Sequence, residues 1–233
     1  MEFQVVKGDI TSIKTDAIVL PANTQLREGS GASEMIFKKA GRKELTADCE
    51  KLAPIDVGAA VPTSGYRLPA TYILHAAVPR WQGGNQNEYA LLSSAYLSCL
   101  SIADTMGCKS LAFPLLAAGN NGFDPRIAFQ IAKETIAFYQ KSNSLEYVFL
   151  VVYNETVKAL ILSTGTTVQD CIDPAFMATD DSIMQLLKNK LKDHSLDIAK
   201  EVLNIAEDYW NENKRELIDR GMKIAIRVLK NKS

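Results

Sequence analysis

Short apolar runs that alternate with amphipathic stretches are the feature that most constrains the fold of this chain. The runs have the length of strands and few polar residues, which is typical of strands buried on both faces of a sheet. The stretches between them carry apolar residues at helical spacing, as Leu91, Ala95 and Ile102 do. This alternation predicts a layered α/β domain with a largely parallel sheet. The predicted strands are residues 3–6, 17–20, 72–77, 110–113 and 148–152, and the predicted helices are residues 33–40, 88–106 and 125–139.

Charge and cysteine content exclude several classes of protein. The chain has 26 Lys and Arg against 27 Asp and Glu, so it lacks the basic excess that nucleic-acid binding usually needs. Its four cysteines form no Cys-x-x-Cys pair and only two histidines accompany them, which predicts no metal site and a reducing compartment. No leader pattern and no apolar run of roughly 18 residues is present. We therefore predict a soluble, cytoplasmic protein without a cofactor or a membrane partner.

The amino-acid composition and the apolar periodicity of the sequence change near residue 163. Residues 163–181 are rich in Thr, Ser and Asp and show little periodicity, so we predict a connector there between a domain at 1–162 and a tail at 182–233. The tail carries apolar residues at helical spacing, with 11 Lys or Arg against 8 acids, which predicts two or three amphipathic helices. Such helices can bind a protein partner or nucleic acid, but a charged face packed on the domain is commoner.

Two glycine-containing loops follow predicted strands, at residues 21–31 and 114–123, and Tyr153-Asn154 follows a third. In α/β sheets the ligand crevice lies beyond the carboxyl ends of the strands. Glycine lets the backbone approach a ligand and present N–H groups to an anion, and the helices predicted to start at Ser33 and Pro125 can add positive dipole ends. Tight turns without a ligand are the alternative, but two such loops at equivalent strand ends favour a diphosphate site.

The motifs in and around these loops resemble the macro domain family. The resemblance covers residues 1 to about 160. It rests on Gly8-Asp9-Ile10-Thr11, Asp16-Ala17-Ile18-Val19, Ala22-Asn23 with the stretch to Lys39-Ala40-Gly41, residues 58–61, residues 65–75 and the run Phe113 to Phe123. It implies a three-layer α/β/α fold with a mixed sheet. It also implies that the domain binds ADP-ribose, an ADP-ribosylated protein or a related metabolite. Within the family the Gly-x-Asn-Gly-Phe loop most resembles that of the macro histone variant.

The resemblance assigns roles to individual residues. It implies that Asp9 accepts a hydrogen bond from the adenine amino group and that the Tyr153 ring lies against adenine. Asn23 is implied to face the distal ribose, over which Phe123 closes. His75, inside a predicted strand, is instead interpreted as a core or supporting residue. The other residues that the resemblance places at the ligand are Ile10, Gly29, Ser30, Gly31, Ala32, Ser33, Ala117, Ala118, Gly119, Asn120, Asn121, Gly122 and Asn154.

One departure from the family pattern bears on catalysis. Where hydrolases of the family have Asp-Gly in the first loop, this chain has Ser33-Glu34. A serine of ordinary pKa is no general base, and Glu34 has a simpler role as an acid in the first turn of a helix. We therefore expect binding without fast turnover. The alternatives are an ADP-ribosyl or O-acetyl-ADP-ribose hydrolase with Asn23 and Glu34 as candidate catalytic residues, and a scaffold that acts through its tail.

Overall fold

A computed structural model describes residues 1–139 and 142–170 of the chain. The tail predicted at 182–233 and the part of the predicted connector beyond residue 170 lie outside the described residues. In the described part no helix has the length and apolar character needed to cross a membrane.

A single mixed sheet forms the centre of the described chain. Its strands are β1 Glu2–Lys7, β2 Ala17–Ala22, β3 Ala60–Ser64, β4 Tyr72–Ala77, β5 Ser110–Pro114, β6 Tyr147–Val152 and β7 Gln169–Asp170. They lie in the order β3-β4-β2-β5-β6-β1-β7. All neighbours are parallel except β3, which is antiparallel to β4. The predicted α/β fold with a mixed, largely parallel sheet is confirmed.

Helices cover both faces of this sheet. They are α1 Ala32–Ala40, α2 Arg42–Leu52, α3 Glu88–Thr105, α4 Pro125–Phe138 and α5 Glu155–Leu162. Strand β2 shows why two layers of helix are needed. Its Ala17 and Val19 pack into the core with α3 and α4, while Ile18 and Leu20 pack into the core with α1 and α2. A strand with apolar residues on both faces can be buried only between two layers.

Four elements were not predicted from the sequence, and each has a weak pattern. Helix α2 buries only Leu45 and Cys49, and α5 has eight residues. Strand β3 contains Pro62 and lies at an edge of the sheet, where the missing N–H of proline is tolerated. Strand β7 has two residues, which pair with Val6 and Lys7 of β1, so the sheet extends into the predicted connector at 163–181.

The parallel order of the strands decides where a ligand cleft can form. The carboxyl ends of β1, β6, β5 and β2 lie side by side at one edge of the sheet, with β4 beyond β2. Three inter-strand spacings of about 4.8 Å place the ends of β1 and β2 roughly 14 Å apart. The loops singled out in the sequence therefore line one continuous edge.

Candidate functional site

The amide of Asn23 organises the loop that follows β2. Its Oδ1 accepts hydrogen bonds from the N–H groups of Gln25 (3.0 Å) and Arg27 (3.2 Å), and its Nδ2 donates to the Arg27 carbonyl (2.8 Å). Both lone pairs of Oδ1 are thus occupied, and one N–H of the amide is left over. Asn23 can therefore donate one hydrogen bond to a ligand but cannot accept one without a change in the loop.

The start of α1 offers a row of backbone N–H groups. The helix follows Gly31, whose φ is 67°, and no side chain caps it. Within the described part of the chain, the N–H groups of residues 30–33 have no protein acceptor. The first N–H groups of a helix carry partial positive charge, so this uncapped end can bind an anion.

The Ser33 side chain supports this loop through a hydrogen bond to its backbone. Its side chain is buried, and its Oγ accepts a hydrogen bond from the Gly29 N–H at 3.0 Å. One lone pair of the hydroxyl therefore serves the backbone of the loop, and the O–H and the second lone pair are left over. Glu34, by contrast, is exposed in the first turn of α1, where its charge acts on the Arg42 guanidinium. Arg42 itself is paired with Glu28.

The loop that follows β5 presents a second set of N–H groups. Ala117 and Gly122 have φ values of 63° and 79°, and the Phe123 N–H closes the loop on the Ala117 carbonyl at 3.2 Å. Among the described residues, the N–H groups of 119–121 find no protein acceptor. Backbone N–H groups with no other partner are the groups that bind phosphate oxygens.

The start of α4 does not contribute to this site. The sequence predicted an anion-binding helix end at Pro125, but the Asp124 carboxylate accepts hydrogen bonds from the Arg126 N–H (2.8 Å) and the Ile127 N–H (3.4 Å). This expectation is corrected, because an acidic N-cap already satisfies and neutralises the helix end. Of the two helix ends predicted from the sequence to bind an anion, the start of α1 alone is uncapped.

Two contacts hold the loop after β5 in place. The Asn120 side chain donates to Ser30 Oγ in the loop after β2. The Asn121 carbonyl accepts a hydrogen bond from the Trp81 N–H at 2.8 Å. The two predicted diphosphate loops are therefore in direct contact, and a third loop, which follows β4, supports them.

Asp9 lies at the end of β1 as an ionised hydrogen-bond acceptor. Its Oδ1 accepts from the Thr11 N–H (2.9 Å) and hydroxyl (2.5 Å), and its Oδ2 accepts from Lys39 Nζ (3.0 Å). Burial alone would raise the pKa of Asp9, but the hydrogen bonds from Thr11 and Lys39 outweigh it and the pKa is lowered. The carboxylate both caps its own turn and remains 27% exposed.

An aromatic residue follows the strand next to β1. Tyr153 follows β6, the neighbour of β1, and is 73% exposed. The Gly8 N–H donates a hydrogen bond to the Val152 carbonyl at 3.1 Å, so the two strand ends are joined. A Cβ added on Gly8 would meet no atom within 4 Å.

Asn154 and Ile10 were also predicted at the ligand. Asn154 is the N-cap of α5, where its side chain accepts a hydrogen bond from the Thr156 N–H at 2.7 Å. Ile10 is buried in the core.

A group of aromatic residues near Phe123 was missed by sequence reasoning. Phe123 is 3% exposed, and its ring lies 5.3 Å from that of Trp81 and 6.3 Å from that of Tyr89. Trp81 and Tyr89 also contact each other, with ring centroids 5.2 Å apart. A signal was present, because Trp81 and Gly83-Gly84 lie in the segment that follows a predicted strand, as the two glycine loops do.

The buried carboxylate of Glu88 holds the loop that carries Trp81. It accepts hydrogen bonds from the N–H groups of Gln82 (3.0 Å), Gly84 (3.0 Å) and Gln86 (2.6 Å). Burial alone would raise the pKa of Glu88, but these bonds and its own N–H outweigh it and the pKa is lowered. Glu88 is therefore a structural carboxylate, like the carboxylates that cap turns.

His75 lies in the core, as the sequence predicted. It is fully buried, with Nε2 2.8 Å from Thr63 Oγ1 and Nδ1 3.8 Å from Cys49 Sγ. Burial lowers its pKa to about 3, although Asp48 opposes the shift. Among the described residues, no group of three or more His, Cys, Asp or Glu is placed to hold a metal ion.

Known proteins share this sequence pattern. Residues 19–132 match the family model described as Macro domain. A Macro domain-containing protein of Methanosarcina mazei is 40% identical over 153 residues, which cover 65% of this chain and 81% of that protein. A protein of Citrobacter rodentium named O-acetyl-ADP-ribose deacetylase is 38% identical over 161 residues, which cover 67% of this chain and 90% of that protein.

Solved structures share the fold. A mutant Oceanobacillus iheyensis macrodomain with ADPR is 28% identical, with a TM-score of 0.64 over 68% of this chain and 89% of that chain. A Trypanosoma brucei macrodomain in complex with ADP-ribose is also 28% identical, with a TM-score of 0.63 over 70% of this chain and 68% of that chain.

Proposed function

This chain belongs to the macro domain family, and we propose that it binds ADP-ribose, free or attached to a protein, in the cleft at the carboxyl edge of its sheet. The observation that carries the proposal is the pair of contacting loops with unpaired N–H groups, at residues 30–33 and 119–121. Two sets of N–H donors on adjacent strands suit a diphosphate, whose two charged groups need several donors at once.

The order of groups along the cleft supports the same ligand. Asp9 and Tyr153, at β1 and β6, offer an acceptor and an aromatic face for adenine. The diphosphate loops follow at β5 and β2. Asn23, with its one spare N–H, lies at the β2 end for the distal ribose. A base, a diphosphate and a sugar are thus met in the order in which ADP-ribose presents them. Phe123 is nearly buried, so it would support the sugar pocket mainly through its contacts with Trp81.

The contacts at Ser33 and Glu34 favour binding over hydrolysis. A general base must have a free acceptor within reach of the proton that it removes. The Ser33 side chain is buried and a serine hydroxyl is too weak a base for this role, and the Glu34 carboxylate lies exposed in the field of Arg42. A second candidate function is deacetylation of O-acetyl-ADP-ribose, which is favoured by the relatives that carry that name. In that case water would be held by the diphosphate and the free N–H of Asn23.

Calorimetry with ADP-ribose tests the binding function. We expect saturable binding by the wild-type protein and at least about tenfold weaker binding by Asp9→Ala, because the base loses a charged acceptor. Lys43→Ala, at an exposed position of α2, is the control. Absence of binding by the wild-type protein would refute the proposal. Turnover of O-acetyl-ADP-ribose or of mono-ADP-ribosylated protein would show instead that the domain is a hydrolase.

Two finer points are part of the same proposal. Within the family, the run Gly119-Asn120-Asn121-Gly122-Phe123 supports a likeness to the macro histone variant.

For the tail at 182–233, the excess of basic residues supports contact with an acidic protein partner. A comparison of the full chain with a chain ending at residue 181 tests the second point: ADP-ribose affinity should be unchanged, while partner capture should be lost.

A further inference from the structure

Lys39 shares the one open acceptor of Asp9. Oδ1 of Asp9 already accepts two hydrogen bonds from Thr11, which fill its two lone pairs. Oδ2 accepts one hydrogen bond, from Lys39 Nζ at 3.0 Å, and has one lone pair left to accept another. A purine amino group that binds Asp9 must therefore use Oδ2, beside the Lys39 ammonium.

The ammonium has donors to spare. Of its three N–H groups, one is directed to Asp9 and another lies 3.4 Å from Ser12 Oγ. The side chain is 48% exposed, and it reaches the end of β1 from the last turn of α1. At least one N–H is thus left for a neighbouring acceptor. The edge of the base pocket consequently offers both a negative acceptor and a positive donor.

The Asp9 carboxylate and the Lys39 ammonium are complementary to two kinds of purine, which differ at position 6. A purine with a 6-amino group donates at that position, whereas a purine with a 6-oxo group accepts there. An isolated carboxylate would repel the 6-oxo group, but the Lys39 ammonium at 3.0 Å compensates the charge and can donate to it. Resting on the proposed function, we propose that Lys39 is a specificity-determining residue that lets the pocket accept 6-oxo as well as 6-amino purine nucleoside diphosphates.

Calorimetry with ADP and IDP, which differ at the base and carry the same charges, tests this inference. We expect the wild-type protein to prefer ADP by less than about tenfold, and Lys39→Met to increase that preference by at least about tenfold, since one good base contact has roughly this value. Lys39→Arg should restore the wild-type ratio. Lys38→Met, at the adjacent exposed position of the same helix turn, is the matched control and should leave the ratio unchanged.

The outcomes separate the two claims. If Lys39→Met weakens ADP and IDP by the same factor while ADP-ribose still binds the wild-type protein, the specificity role is wrong and the binding function stands. A wild-type preference for ADP above about a hundredfold would also overturn it, because the pocket would then already reject the 6-oxo group. If the wild-type protein binds no ADP-ribose, the proposed function fails and this inference fails with it.

Discussion

The Asn120 side chain donates a hydrogen bond to the Ser30 hydroxyl and so joins two loops that are 90 residues apart in the sequence. Both side chains are exposed, and both belong to loops whose N–H groups have no protein acceptor in the described chain. The contact fixes the distance between the N–H groups of one loop and those of the other before any ligand binds. Preorganisation of this kind reduces the entropy lost on binding.

A double-mutant cycle tests whether this contact matters for affinity. Ser30→Ala and Asn120→Ala should each weaken ADP-ribose binding about two- to tenfold, which is the range for one hydrogen bond. The double variant should be little worse than either single variant, because both changes remove the same contact. Calorimetry measures the three values. Effects that simply add would mean that the two side chains contact the ligand independently.

Glu88 should contribute to stability in a pH-dependent way. Its pKa is lowered in the folded protein, since the hydrogen bonds to its carboxylate outweigh the effect of burial. Its contribution is therefore complete above the unfolded pKa of about 4.3 and is lost as pH falls through the lower folded pKa. Glu88→Gln should lower the free energy of unfolding at pH 7 by about 1–3 kcal/mol.

Urea denaturation between pH 3 and 7 measures this effect. The difference between the wild-type protein and Glu88→Gln should shrink below pH of about 4. Glu50→Gln, at an exposed position of α2, is the control and should change little. A Glu88→Gln variant as stable as the wild type at pH 7 would show that the loop after β4 does not depend on this carboxylate.

Two glycines of the loop after β5 should respond differently to alanine. Gly122 has a φ of 79°, where an alanine costs about 1–2 kcal/mol, while its added Cβ would lie at an ordinary 3.6 Å from Trp81 Cβ. An added Cβ on Gly119 would meet no atom within 4 Å, and its φ is not in the left-handed region. Gly122→Ala should therefore lower the midpoint of urea denaturation and Gly119→Ala should not. Equal effects would contradict the conformational explanation.

His75 should remain neutral across the range in which exposed histidines titrate. Burial lowers its pKa to about 3, so its NMR ring shifts should be flat from pH 8 to 5. His194→Gln leaves His75 as the one histidine and makes the signals unambiguous. Unfolded histidine binds a proton below about pH 6.5, so the stability due to His75 is complete above that value and declines towards pH 3. A titration midpoint near 6.5 would show that the ring is accessible to water.

Part of the site could be predicted from local sequence. Asp9, Asn23, Tyr153 and the two glycine loops follow strands directly, and parallel strands bring such positions to one edge of a sheet. The role of Trp81 could not be predicted in the same way, because its packing on Phe123 depends on how the loops after β4 and β5 meet. Its Trp-x-Gly-Gly segment was a signal of a loop, but not of this contact.

The sequence by itself determined the α/β fold and predicted a diphosphate site at the two loops, since both depend on local periodicity and on backbone freedom at glycine. Only the tertiary structure decided which donors remain available and which charged groups lie at the proposed base site. Asp124 caps α4, whereas no side chain caps α1, and Lys39 reaches Asp9 across 30 residues. The reason is physical: a hydrogen-bonding group is free or satisfied according to what packs against it, and spacing along the chain does not record that.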